Sequence, residues 1–282
     1  MPRLGAHMSI AGGVSQALVR GQSIGCEAIQ IFTKNQRRWT EPEIPPEEIA
    51  AFKRLQAETG IHPIVSHNSY LINIGSPDDG LWQRSVNSLI RELERCEALG
   101  VPYMNMHPGS HLGAGEEAGL KRIAEGLDAV HRATSGFQVM TLLETTAGQG
   151  SNLGYTFQQL ARIIEMVAQP ERIGICFDTC HAFAAGYELR TPEGYRETFE
   201  EFDAVIGLER LKVFHLNDSQ GELGSHLDRH VHIGQGKLGL EAFRLLLNDP
   251  RFRDHPMLLE TPKGKKMEED VMNLAVLRSL LE

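Results

Sequence analysis

The chain has 282 residues, 41% hydrophobic and 23% charged, which are ordinary globular values. No apolar run approaches the roughly 20 residues of a membrane span, and the N-terminus MPRLGAHMSIAGG makes a poor signal peptide because Arg3, Gly5 and His7 interrupt it. A formal charge of −9 argues, taken alone, against a nucleic-acid partner, unless bound metal ions concentrate positive charge at one place.

Strand-like apolar runs alternate with amphipathic helical runs from end to end. The spacing predicts strands near 3–7, 27–32, 63–67, 103–107, 139–144, 173–178, 211–216 and 257–260. It predicts helices near 13–24, 46–59, 81–99, 116–134, 156–168, 193–206, 239–248 and 267–281. In the run 81–99, Leu89, Leu93 and Cys96 share one face, with charges opposite. Gly60, Gly100 and Gly207 mark helix ends. GAGEEAG at 113–119 reads as a loop and helix start, since it lacks the GxGxxG fingerprint of a dinucleotide site. Eight βα units without a linker predict one undivided (β/α)8 barrel over 1–282, an α/β TIM barrel; the alternative is a doubly wound open sheet.

Six of these runs end in a polar residue that can bind metal: PIVSH in His67, YMNMH in His107, VMTLLE in Glu144, GICFD in Asp178, LKVFH in His215 and PMLLE in Glu260. A barrel delivers successive strand ends to its C-terminal mouth, so the six form a ring. Burying that many carboxylates and imidazoles unpaired would cost several kcal/mol each. Divalent metals are the natural counter-charge. Six ligands exceed one tetrahedral site, and Glu144, midway in the order, could bridge two. His181, Asp228 and His230 form a second group, read as lying in loops; spacing alone also allows His232 or His226. Asp178 could equally cap the turn into DTCH. The ligand types suit zinc, and also manganese or iron. His7 ends the first strand and is a candidate phosphate contact. The four cysteines, Cys26, Cys96, Cys176 and Cys180, form no CxxC pair and read as thiols of a reducing cytoplasm; Cys176 and Cys180 flank Asp178. Two adjacent metals with a third beside them suit phosphodiester hydrolysis better than carbonyl chemistry.

At nine segments the chain resembles the bacterial endonuclease IV family, the zinc-dependent apurinic/apyrimidinic (AP) endonucleases of the deoxyribonuclease IV type. These are GAHMSIAGG, IFTKNQRRW, HNSYLINIG, NMHPGSH, LLETTAGQG, FDTCHAFAAGY, FHLNDS, GSHLDRHVHIGQG and LLETPKG. They keep the family's order over nearly the whole length, with no departure at a ligand position. The resemblance implies three divalent metals. His67, His107 and Glu144 would hold the first. Glu144, as a bridge, with Asp178, His215 and Glu260 would hold the second. His181, Asp228 and His230 would hold the third, which settles His230 over His232. It implies cleavage of double-stranded DNA 5′ to an abasic site, leaving a 3′-hydroxyl and a 5′-deoxyribose phosphate, and trimming of blocked 3′ ends. Glu144 or Glu260 would orient or deprotonate the attacking water. An abasic nucleotide has no base to unstack, and Arg37, Tyr70 and Leu71 match the family's groove-inserting residues. Lys34, Asn35, Arg38 and Trp39 of the FTKNQRRW loop, with Lys263, Lys265 and Lys266 of TPKGKK, are further candidate DNA contacts. A DNA substrate implies a cytoplasmic, nucleoid-associated protein. A monomer is expected, because the barrel needs no partner to bury its core. The rival reading is a sugar isomerase or epimerase on a related metal-binding barrel. Such an enzyme needs a base beside a carbonyl sugar and no third metal. A damage-binding protein without catalysis would need a broken ligand set.

Overall fold

The computed structural model describes residues 1–40 and 42–282. Eight parallel strands close into a barrel in chain order: β1 Arg3–His7, β2 Ala28–Phe32, β3 Ile64–His67, β4 Tyr103–Met106, β5 Met140–Glu144, β6 Ile173–Asp178, β7 Leu211–Leu216 and β8 Pro256–Leu259. β8 pairs with β1 through Arg3↔Pro256 to Ala6↔Leu259, which excludes the open doubly wound sheet. The helices α1 Gln16–Ser23, α2 Pro46–Thr59, α3 Asp79–Leu99, α4 Glu116–Ala133, α5 Phe157–Met166, α6 Thr179–Ala185, α7 Pro192–Val205, α8 Gly239–Leu247 and α9 Glu268–Ser279 follow the strands. Two-residue ribbons, Gly109–Ser110 with Asn152–Leu153 and Asp218–Ser219 with His230–Val231, tie mouth loops together. No helix among the described residues is long and apolar enough to cross a membrane.

Local sequence explains the boundaries. Asp78 caps α3 by accepting from Leu81 N at 2.6 Å, and Thr191 caps α7 ahead of Pro192 by accepting from Gly194 N. Gly60 and Gly100 take the left-handed conformation at φ 68° and 73°, ending α2 and α3 as expected; Gly207 follows α7 by two residues. Leu89, Leu93 and Cys96 are fully buried on one face of α3. α1 begins three residues later than the sequence spacing predicts, because residues 14–15 form a turn ahead of it.

One correction bears on the site. DTCH does not open a loop. Thr179–Ala185 is a short helix directly after β6, capped by Asp178, whose Oδ1 accepts from His181 N at 2.8 Å. His181 therefore sits on the first turn of a helix.

Two hydrophobic clusters separate by strand face. The larger lies between sheet and helices. The smaller fills the barrel interior with Ala28, Val65, Leu142, Cys176, Val213 and Leu258, one residue from each of six strands. Strand side chains alternate with period two. Two positions further along that inward face stand Gln30, His67, Glu144, Asp178, His215 and Glu260. The apolar plug thus carries a polar layer at its C-terminal end.

Candidate metal centre

The polar layer draws ligand atoms to spacings that suit shared ions. For tetrahedral bonds of 2.0–2.1 Å, two ligand atoms on one ion stand about 3.4 Å apart. Glu144 Oε2 lies 3.4 Å from His67 Nε2 and 3.5 Å from His107 Nε2. The other oxygen of the same carboxylate, Oε1, lies 3.1 Å from His215 Nδ1. His215 Nδ1 in turn stands 3.2 Å from Glu260 Oε2 and 3.8 Å from Asp178 Oδ2. Glu144 thus turns one oxygen to each of two ligand groups. In the third group, His181 Nε2 lies 3.2 Å from Asp228 Oδ1 and 3.3 Å from His230 Nε2, and His230 Nε2 is 3.6 Å from Asp228. All nine candidate ligands therefore converge, whereas His226 turns its Nδ1 to Ala147 O at 2.7 Å and His232 lies beside Asn273.

The arrangement fits divalent ions. His67 Nε2 is fully buried and has no hydrogen-bond partner, although a carboxylate oxygen stands 3.4 Å away. Its other nitrogen, Nδ1, reaches Asn68 O at 2.8 Å, the outer contact that holds a metal-ligating imidazole. His181 repeats the pattern, with Nδ1 on Thr145 O at 2.9 Å. The carboxylates are likewise oriented: Asn105 Nδ2 donates to Glu144 Oε2 at 2.5 Å and Asn217 Nδ2 to Asp178 Oδ2 at 2.7 Å.

Electrostatics agree with the geometry. Burial acts to raise the Glu144 carboxyl, but His215 and His107 outweigh it and hold the group well below its ordinary range. Glu260 is held low in the same way, by His215 and His7 against burial. Burial opposes protonation of His181, yet Asp178, Asp228 and Glu144 hold it well above the ordinary imidazole value. His215 is also raised, with burial opposed by Cys176, Glu260 and Glu144, and His67 is raised less, with burial opposed by Glu144. Burial lowers His107. The carboxylates thus favour positive charge on His67, His181 and His215. All four cysteines are buried and unpaired, and burial pushes the Cys176 thiol up to about 12. That thiol lies within reach of Glu144 and His215 at the foot of the second group.

The candidate DNA contacts divide. Tyr70 is 59% exposed at the mouth, its ring 5.1 Å from that of His67, with Leu71 half-buried beside it. Asn35, Arg37, Arg38, Lys265 and Lys266 are exposed. A groove of about 1180 Å³ runs from His7 and Phe32 past Arg37 to Lys263 and Lys265. Lys34 lines this groove without offering it a free charge. Its ammonium is buried 3.3 Å from Glu92 and donates to Arg38 O at 2.6 Å, so it holds the loop from beneath. Trp39 is no free stacking platform, because Arg84 lies over its ring at 4.5 Å and it packs on the core. Lys263 is bound to His7 O and, at 2.8 Å, to Asp270. The sequence reading missed the orienting residues Gln30, Asn105, Thr145 and Asn217. The signal for the first two was a polar residue at an inward position of an apolar strand.

Comparison with known proteins agrees with this site. A family model described as a xylose isomerase-like TIM barrel matches residues 19–280. The chain is 58% identical over 282 residues to a probable endonuclease 4 of Chloroflexus aurantiacus, covering 100% of this chain and 99% of that one. A probable endonuclease 4 of Geobacter sulfurreducens is 53% identical over 279 residues, covering 99% and 94%. The crystal structure of endonuclease IV from Thermus thermophilus superposes with a TM-score of 0.89 at 41% identity, covering 99% and 98%. A D-tagatose 3-epimerase-like protein shares the fold alone, at 18% identity and a TM-score of 0.75 over 99% of this chain and 96% of that one. The barrel, the nine converging side chains and full-length identity of this order lead to one assignment: the chain belongs to the endonuclease IV family of AP endonucleases.

Proposed function

We propose that the protein is a metal-dependent AP endonuclease of base excision repair. In this reading it hydrolyses the phosphodiester 5′ to an abasic site in double-stranded DNA, leaving a 3′-hydroxyl and a 5′-deoxyribose phosphate, and it removes 3′-blocking groups. The observation that carries the reading is the three-part convergence: Glu144 shared between two ligand groups, with His181, Asp228 and His230 as a third. A sugar epimerase has no use for that third group.

Zinc, or manganese or iron in its place, held by these nine residues would supply a lowered water pKa and positive charge for the phosphate. The chain's own groups do the rest. In the reaction the oxygen of water bonds to phosphorus, the bond from phosphorus to the 3′-oxygen breaks, and the departing oxygen takes up a proton from solvent to become the 3′-hydroxyl. Glu144 and Glu260 are ionised acceptors on either side of His215, able to orient that water and take its proton. Gln30 and Asn105 keep the two carboxylates from rotating. Tyr70 stands over the ring where a base-less nucleotide leaves space, and Arg37 and Lys265 flank the groove for the phosphate backbone.

The test is incision of a labelled duplex carrying one tetrahydrofuran abasic analogue, before and after chelation. That analogue cannot undergo β-elimination. A cut on its 5′ side ending in 3′-hydroxyl, lost on chelation and restored by zinc, is the expected result; no cut by metal-replete protein refutes the reading. Glu260→Gln should keep its grip on abasic duplex and cut it about a hundredfold or more slowly. Cutting at the normal rate would remove Glu260 from that role.

A further inference from the structure

Gln30 is a fully buried amide inside the barrel, on the inward face of β2. Ala28, two residues earlier on that face, belongs to the apolar plug, so Gln30 stands in the layer that holds the ligands. An uncharged amide there is out of place as a ligand and expensive as filler. Every polar atom of its side chain is engaged. Oε1 lies 2.8 Å from His215 Nε2; Nε2 donates to Glu260 Oε1 at 2.5 Å and lies 3.0 Å from His7 Nδ1.

These three contacts admit one amide orientation. An ionised carboxylate only accepts, so the atom facing Glu260 must be the NH2 group. The carbonyl then faces His215 Nε2, which must carry a hydrogen. Neutral His215 is thereby held with its lone pair on Nδ1. That atom is the one facing Glu144, Glu260 and Asp178, at 3.1, 3.2 and 3.8 Å. On Glu260, the amide occupies Oε1 and leaves Oε2 for the second group. The same amide nitrogen lies 3.0 Å from His7 Nδ1, which itself stands 3.4 Å from Glu260 Oε1, so Gln30 and His7 meet at that one carboxylate oxygen.

We propose that Gln30 is a positioning residue for the second metal group: it fixes the tautomer of His215 and the rotation of Glu260 together. The inference rests on the reading of the ring as a metal centre. No other described residue contacts both of these ligands through side-chain hydrogen bonds on the face away from Asp178 and Glu144. The first group is oriented by Asn68 O and Asn105, and the third by Thr145 O and Glu260 O, so neither depends on Gln30.

The test uses Gln30→Met, which keeps the length and apolar volume and removes the hydrogen bonds. Zinc affinity of each site is read by graded chelator competition on the full-length protein, alongside thermal unfolding. Loss of outer-shell partners typically costs about 10–100-fold in metal affinity. The expected result is a loss of that size for one equivalent, with the remaining zinc held as in the parent. Unchanged affinity at every site overturns the proposal, as does an equal loss at all sites, which would mark Gln30 as a general packing residue. A second measurement needs no variant: nitrogen-15 NMR of the histidine side chains in the zinc-loaded parent protein. His215 should show a protonated Nε2 and a zinc-bound Nδ1; the reverse tautomer refutes the assignment even if Gln30→Met fails to fold. A parent protein that binds no zinc would instead overturn the metal-centre reading itself, a distinguishable failure.

Discussion

Acid should strip the centre by a stoichiometry that the structure sets. Each ligand group contains a histidine whose protonation the surrounding carboxylates favour in the absence of metal: His67 in the first, His215 in the second and His181 in the third. An ion must displace that proton before it can bind. Glu144, Glu260 and Asp228 add nothing to the count, since the first two are held well below their ordinary range and Asp228 is lowered to about 2 by His181 against the effect of burial. Burial lowers His107, which favours its neutral form. Loading near neutral pH should therefore release protons, with affinity falling by up to about tenfold per pH unit for each histidine so displaced. From pH 7.5 to 5.5 that is up to about a hundredfold per histidine, or ~2.7 kcal/mol at 1.36 kcal/mol per unit. Calorimetric titration of zinc into stripped protein, in buffers of different ionisation enthalpy, counts the protons directly. Release of no protons, or an affinity flat across that range, would refute the argument that carboxylate-held imidazolium groups guard the sites.

The same groups predict the stability of stripped protein. A raised histidine stabilises the fold fully below the unfolded value of about 6.5 and loses that contribution as pH rises through the folded value. The lowered His7 and His107 act in the opposite sense below that point, so melting temperature should peak near pH 6.5 and decline above it only when metal is absent. A flat profile in stripped protein would contradict this. Lys34→Met should cost about 3 kcal/mol or more by leaving Glu92 charged and buried, with melting temperature as the readout. Lys265→Ala should leave melting unchanged and reduce the salt dependence of DNA binding by about 0.9 in log–log slope; the opposite pattern for the two lysines would reverse their assigned roles. Tyr70→Ala should lower the preference for abasic over intact duplex by about tenfold, the scale of one aromatic stacking contact, and an unchanged ratio would place the wedge elsewhere.

The barrel was legible because each strand is short, apolar and stopped by a polar residue, and period-two alternation carries that residue inward above the plug. The ligand candidates were legible for the same reason: 65→67, 142→144, 176→178, 213→215 and 258→260 each step from core to ring. Other features needed three dimensions. α6 hid because Asp178 is both a helix cap and a candidate ligand, and seven residues give too little periodicity to register. Lys34 reads as one more cation of a basic loop until Glu92, from the inner face of α3, is seen beneath it. Trp39 looks available until Arg84 of the same helix covers it. Gln30 stands in AIQIF as a single polar interruption. Its meaning depends on which strands it faces across the barrel, and local sequence does not specify that.

The acidic charge of the chain poses the remaining question of how it grips DNA. Four carboxylates, Glu144, Asp178, Asp228 and Glu260, crowd the mouth where a phosphate must enter. Three divalent ions would bring the formal charge from −9 to −3. If each displaces about one proton, the net gain at the mouth is about three charges. At about 8 Å from a phosphate, in a water-like dielectric, each is worth about 0.5 kcal/mol, together about 1.5 kcal/mol or roughly tenfold in affinity. Metal removal should therefore weaken binding even to intact duplex that is never cut, by about that factor at low salt and less at high salt. Fluorescence anisotropy with an undamaged duplex reads this without any catalysis. Equal binding by stripped and loaded protein would mean that the exposed basic residues along the groove carry the contact alone and that the ring meets DNA only after an abasic nucleotide has been extruded.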